Sequence, residues 1–200
     1  MTEPSTRRSQ RQRTTAETDV AVTLDLDGGP VEIDTGVPFF DHMLHQLAKH
    51  GGLGLSIAAK GDLDVDAHHT VEDVGITFGA CFREAVGDRA GLRRFGWATC
   101  ILDEARVEVA LDLSGRPFLV WDLDPGRERI GDFDPQLLEE FARAFCVDAG
   151  VSLHVVQHAG QNAHHVTEAA FKALARALSD ALTSDPRRGG DAPSTKGMLA

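Results

Sequence analysis

Four of the nine histidines stand as two adjacent pairs, each followed three residues later by a glutamate: His68-His69-x-x-Glu72 and His164-His165-x-x-Glu168. Imidazole and carboxylate together suit manganese, iron or zinc, and the absence of thiolates argues against a purely structural zinc site. Each motif opens a helical pattern, roughly His68–Val86 and His164–Leu182. Residues three and four apart share a helix face, so each glutamate lies within reach of both histidines of its motif. Adjacent residues diverge by about 100° around the helix. The two imidazoles of a pair therefore point apart and serve different metals. The pattern implies two metals, with ligands drawn from both halves of the chain.

The motif is doubled because the chain is duplicated. Glu17–Pro30 matches Glu104–Pro117 at a constant offset of 87 (104 less 17): Val20 meets Val107, Leu24-Asp25-Leu26 meets Leu111-Asp112-Leu113, and Pro30 meets Pro117. Both segments alternate apolar and polar residues before a Gly/Pro turn, the pattern of a half-buried strand. A helical pattern opening at Asp41-His42-Met43-Leu44 is matched by Glu139-Glu140-Phe141-Ala142, and each ends near a glycine, Gly52 or Gly150. His42 thus pairs with Glu140, and both residue types ligate metals. Strands Leu53–Ala59 and Val151–Gln157 follow, then a loop, then the His-His helices. Each half reads strand, connection, helix, strand, loop, helix, and two such units predict an α+β sandwich with sheets packed on helices. The expected units are residues 15–96 and 97–184, followed by a C-terminal segment, 185–200. Residues 1–14 hold Arg7, Arg8, Arg11 and Arg13 among Ser, Thr and Gln without an apolar face, the composition of a disordered basic tail.

A net charge of −11 argues against general nucleic-acid binding, though a local cluster of cations still suits a small anion. No apolar stretch is long enough to span a membrane. Three widely spaced cysteines without a CxxC pattern read as reduced thiols in a cytoplasmic protein. Arg94, Arg116, Lys172 and Lys196 are candidate cations for an anion. The terminal Pro193-Ser194-Thr195-Lys196-Gly197 has the hydroxyl, ammonium and backbone N–H groups to clasp a phosphate.

FFDHMLHQLAKHG, DAHHTVEDVGI, RRFG, LDLSGRP, GQNAHHVTEAAFKALARAL and DPRRGG…PSTKG, in that order over nearly the whole chain, resemble the imidazoleglycerol-phosphate dehydratases. The resemblance implies two βαββα-type units similar to the second domain of ribosomal protein S5. It implies dehydration of D-erythro-imidazole-glycerol phosphate to imidazole-acetol phosphate in histidine biosynthesis. It also implies two manganese ions per site and a hollow homo-oligomer of twenty-four chains with sites between subunits. Carried over residue by residue, the metal ligands are His42, His68, His69, Glu72, His164, His165 and Glu168. The phosphate-side groups are Arg94, Arg116, Lys172, Ser194 and Lys196, with Gln46 and His50 nearby. Glu17 matches a family glutamate that reaches a neighbouring subunit's substrate. The chain departs from some relatives at Glu140, where they carry a metal-ligating histidine; His45 and His158 read as incidental.

The substrate proton to be removed lies on a carbon with no adjacent carbonyl, so the imidazole ring must act as the electron sink. Metals then serve as Lewis acids and as a template. The chemistry is expected to rest on Glu17, His68, Glu72, His165 and Glu168, with Glu17 as general acid/base. From the residues alone, two other readings compete: a dinuclear metallohydrolase of phosphate esters, and a metal-storage scaffold without turnover. Cations that hold a phosphate intact favour the lyase.

Overall fold

The computed structural model describes residues 7–126 and 128–195. The first unit runs β1 (Arg8–Thr14), β2 (Thr18–Asp25), β3 (Val31–Asp34), α1 (Pro38–Gly51), β4 (Gly54–Gly61) and α2 (His68–Val86). The second repeats it: β5 (Phe95–Leu102), β6 (Ala105–Asp112), β7 (Phe118–Asp122), α3 (Leu137–Ala149), β8 (Ser152–Ala159) and α4 (Ala163–Ala181), followed by a short 3₁₀ turn, Pro186–Arg188. The two sheets have the same order, β1-β2-β4-β3 and β5-β6-β8-β7. In each, the first three strands of that order are antiparallel and the last runs parallel to its neighbour.

The alternation in β2 and β6 does what its period predicts. Val20, Val22 and Leu24 are buried, as are their repeats Val107, Val109 and Leu111. α1 starts with proline in its first turn, and α1 and α3 end on left-handed Gly52 and Gly150 (φ 69° and 66°). Glycine adopts that conformation without a Cβ penalty. The helices form the inner layers. α1 and α2 lie on the first sheet and α3 and α4 on the second, while α1 meets α4 and α2 meets α3 across the middle. One continuous core results, centred on Phe40, Phe78, Phe82, Phe141 and Phe145.

Three expectations change. Residues 8–14 are an edge strand and not a disordered tail. β1 pairs with β2 from Arg8↔Asp25 to Thr14↔Asp19, and buried Ser9 donates to the Cys81 carbonyl. Arg13 reaches the buried Asp73 at 2.6 Å and Arg11 reaches Glu84 at 2.8 Å. Ladder bonds and ion pairs thus hold a segment whose composition lacks apolar residues. Second, the unit boundary lies in the loop 87–94, because β5 already begins at Phe95 and a cut after residue 96 would divide it. Third, each unit holds two further strands, one before the expected strand and one inside the expected connection.

Candidate active site

Both His-His pairs sit at helix starts fixed by a polar residue two positions earlier. Asn162 accepts from the backbone N–H groups of His164 and His165, and Asp66 accepts from that of His68. The ring centroids within each pair lie 6.1 Å apart for His68/His69 and 6.3 Å apart for His164/His165, with interplanar angles of 83° and 77°.

In the α1/α4 seam, His42 Nε2 and His164 Nε2 each lie 3.1 Å from the same Glu168 oxygen. Among the described residues this is the one group of three donors, all within 4.8 Å of one another, that can hold a metal ion. Such separations match the edges of a coordination shell with bonds of about 2.1 Å, and two imidazoles with a carboxylate suit manganese, iron or zinc. Three donors also leave coordination positions open. Burial pushes the Glu168 carboxyl up, but Lys172 at 2.7 Å, His42 and His164 outweigh it and hold the pKa at about 2. Glu168 is therefore an anion throughout the neutral range. Phe39 closes one side, edge-on to His164 with centroids 5.2 Å apart. Beyond it, a cavity of about 690 Å³ extends from Phe39 and Phe133 to Leu63, Asp66 and Ala67, the residue before His68.

His69 and His165 stand apart from that cluster, and each meets carboxylates. His69 Nδ1–H donates to Asp62 at 3.0 Å, while its Nε2 lies 3.8 Å from Glu17. His165 Nδ1–H donates to Glu104 at 2.7 Å, while its Nε2 lies 3.9 Å from Asp103. A carboxylate on Nδ1 fixes the tautomer and leaves the Nε2 lone pair available, the arrangement that supports a histidine when it binds a metal. These bonds raise the pKa of both histidines, with Asp62 the leading cause for His69 and Glu104 for His165. Glu104 is held at about 2 by His165 and by the Asn162 and Gln161 N–H groups. Glu17 and Glu104 keep the symmetry of the duplication, each beside its own unit's second histidine.

The remaining expected ligands are not gathered. His68 and Glu72 lie at the start of α2 without a third donor among the described residues. Glu140 on α3 faces Arg143, 3.9 Å away. Of the phosphate-side residues, Arg94 is gripped by Asp112 at 2.6 and 2.9 Å and donates to the Pro193 carbonyl at 2.7 Å. This brings the C-terminal segment and Ser194 to Arg94. Arg116 lies 4.0 Å from the same Asp112, His50 bonds Gln46 at 3.1 Å, and Lys172 is paired with Glu168. Lys196 lies outside the described residues. Sequence reasoning passed over Asp62 and Asp112. Asp112 was visible in the strand repeat but was read only as a strand residue, whereas Asp62 sits in a loop where no periodicity marks it.

Residues 35–178 match the family profile described as imidazoleglycerol-phosphate dehydratase. A curated relative of that name from Gluconobacter oxydans (strain 621H) is 54% identical over 194 residues, covering 96% of this chain and 98% of the relative. Another, from Gluconacetobacter diazotrophicus, is 57% identical over 188 residues, covering 94% and 95%. Among solved structures, the imidazoleglycerol-phosphate dehydratase of Staphylococcus aureus subsp. aureus N315 superposes with a TM-score of 0.82 at 39% identity, covering 89% of this chain and 99% of that one. The enzyme from Pyrococcus furiosus, solved in complex with (S)-C348, gives 0.82 at 38% identity, covering 94% and 100%.

Proposed function

The chain belongs to the imidazoleglycerol-phosphate dehydratase family, and from that premise we propose how its residues carry out the reaction. It is a hydro-lyase of histidine biosynthesis that converts imidazole-glycerol phosphate to imidazole-acetol phosphate and water. The phosphate-ester hydrolase reading falls away with that membership.

The observation that carries the site assignment is the convergence of His42, His164 and Glu168 from opposite units on one point. We assign them to one manganese ion, with His68, Glu72 and Glu140 as the equivalent donors at the pseudo-symmetric place and His69 and His165 completing the sets. Three donors in the α1/α4 seam, fewer than a full coordination shell, support ligation shared between copies, and hence the large homo-oligomer of twenty-four chains that the family resemblance implies. Bound metal supplies Lewis acidity toward the substrate's imidazole and a template for its orientation.

The protein's own groups do the rest. Glu168, anionic and backed by Lys172, holds His42 and His164 in place. Asp62 and Glu104 orient His69 and His165 with Nε2 outward. Glu17 is the general acid/base that moves the proton at the carbon losing hydrogen. Arg94, Arg116, Lys172, Ser194 and Lys196, with Gln46 and His50, hold the phosphate. No helix among the described residues is long and apolar enough to cross a membrane. The three cysteines are free thiols, which supports a cytoplasmic location.

The test is metal analysis of the purified protein with and without a triazole phosphate, beside assays for ketone product and for released phosphate. The expected result is two manganese ions per chain, ligand-dependent metal spectra and ketone without free phosphate. A chain that turns over fully after exhaustive chelation removes the metal assignment. Chelation is also expected to shrink the particle in light scattering; an unchanged size would separate assembly from metal binding.

A further inference from the structure

We propose that Asp73 is a positioning residue for the reaction: with Arg13 and Thr18 it pins the β1/β2 turn to α2 and so fixes where Glu17 stands. The proposal rests on the reading of Glu17 as the general acid/base. β1 ends at Thr14 and β2 begins at Thr18, so Glu17 occupies the short turn between them. That turn is stiff within itself. The Thr15 N–H donates to the Thr18 carbonyl at 2.8 Å, and the Thr15 hydroxyl accepts from the Glu17 and Thr18 N–H groups at 3.1 and 3.0 Å. β1 is an edge strand, however, so a stiff turn at its end needs an anchor to the body of the protein.

Asp73 supplies that anchor. Its Oδ2 accepts from Arg13 Nη1 at 2.6 Å and also from the Thr18 hydroxyl, one donor from each strand of the hairpin. Asp73 and Thr18 are both buried. Removing a donor would strand a charge away from water, so the tie is firmer than an exposed surface pair. Asp73 follows His69 by four residues on α2, and residues four apart share a helix face, about 6 Å from each other along the axis. Anchored there, the turn brings Glu17 Oε1 to 3.8 Å from His69 Nε2. Among the described residues no hydrogen bond reaches the Glu17 carboxylate itself, which is half exposed. Its place is set through its backbone neighbour, Thr18.

The duplication supplies an internal control. In the second unit the places of Arg13, Thr18 and Asp73 are taken by Cys100, Ala105 and Ala169, which cannot form the clamp. β5 and β6 nevertheless pair, and α4 packs on both. The fold therefore does not require the clamp. Glu104, the repeat of Glu17, is held by its own carboxylate, which accepts from the Asn162 N–H at 3.0 Å and from His165 Nδ1 at 2.7 Å. One glutamate is fixed by what its carboxylate bonds. The other is fixed from behind, with its carboxylate left open to move a proton.

The experiment is a double-mutant cycle on kcat in the metal-loaded enzyme, with metal content measured for every variant. Thr18→Val and Arg13→Gln cut the two sides of the clamp without altering α2. Each is expected to lower kcat by about tenfold or more, since a misplacement of about 1 Å can cost on the order of 10²-fold, with KM and metal content within about threefold of wild type. Thr18→Ser, which keeps the hydroxyl, should restore turnover to within about threefold. In a Glu17→Gln background, Thr18→Val should change kcat by no more than about threefold, because the clamp acts only through Glu17. Ser9→Ala is the control for strand docking alone: it removes the bond from β1 to the Cys81 carbonyl and should lower the urea midpoint while kcat stays within about threefold. Arg13 is half exposed, so its variant keeps the test open if Thr18→Val does not fold. Unchanged kcat in the clamp variants, a loss that serine does not restore, or one that recurs in full on Glu17→Gln overturns the proposal. So does a loss of metal, which would make the clamp a support of the α2 donors. Full turnover in Glu17→Gln alone is a separate result: it removes the general acid/base reading, and the proposal falls with it.

Discussion

The α1/α4 and α2/α3 seams are two copies of one design, yet they have diverged in opposite directions. In α2/α3, Gly75 and Gly79 let the helices close up. A Cβ on Gly75 would lie 2.9 Å from the Phe141 carbonyl, and one on Gly79 would lie 2.9 Å from both the Phe145 carbonyl and the Asp148 Cβ. The same two places on α4 hold Phe171 and Ala175, which keep α1 further off. The open seam carries His42, Gln46, His50, Glu168, Lys172 and Arg176. The closed one carries Glu140, Ala144, Asp148, Glu72, Ile76 and Ala80 in their places. Duplication supplied two frames. One carries a charged row of side chains leading from the candidate metal donors; the other is given over to packing and keeps candidate donors only at its mouth.

The largest test of that comparison is the glutamate pair. Glu168→Gln is expected to lower kcat by about 10³-fold and to abolish one metal equivalent, since it removes the charge on which two imidazoles and Lys172 converge. Glu72→Gln should cost the same if the closed seam supplies the second metal. Steady-state turnover within about tenfold of wild type for Glu72→Gln would confine the chemistry to the open seam. Next comes the hairpin pair. Glu17→Gln is expected to lose about 10²-fold in kcat as a general acid/base should, whereas Glu104→Gln should chiefly loosen His165 and its metal. Equal kcat losses without metal loss from Glu104→Gln would make the two glutamates interchangeable.

Packing provides a smaller contrast. Gly79→Ala forces a methyl against backbone and is expected to destabilise by about 1–3 kcal/mol in urea unfolding. Ala175→Gly, at the same place in the open seam, should cost about 1 kcal/mol from helix propensity. The reverse order would mean that the closed seam has room to spare.

Acid is the mildest probe. Glu168 has a folded pKa of about 2 against an ordinary 4.5, so its contribution to metal-free stability is present above pH 4.5 and lost as pH falls toward 2. Thermal melts of the metal-free chain should show a steeper decline over that window in the wild type than in Glu168→Gln. Parallel curves would mean that the pair with Lys172 contributes nothing.

Helices were the most legible part of the chain. Their periodicity and glycine stops are local signals, and α2 begins and ends where the pattern predicts. The first strand of each unit was hidden for opposite reasons. β1 contains no apolar residue and is held by ladder bonds and by Arg13 on Asp73. β5 reverses the usual alternation. Gly96 and Ala98 face inward because α4 crosses so close that a Cβ on Gly96 would collide with the Ala177 carbonyl, while Phe95, Trp97 and Ile101 face outward. Small-inside, large-outside is not a pattern that burial from one chain rewards, so the reading missed it.

At the site, the nomination of the candidate donors and their division between two directions came from the sequence alone, because a helix sets the angle between neighbouring residues wherever it is placed. Which donors meet was decided only by tertiary structure. His42 reaches His164 and Glu168 across 122 and 126 residues (164 less 42, 168 less 42) because α1 of one unit packs on α4 of the other. Glu140, its repeat partner, is turned to Arg143 in the seam that the glycines closed. Spacing along the chain encodes the angle between donors, whereas the distance between them depends on how closely two helices approach, which side chains remote from the motif control.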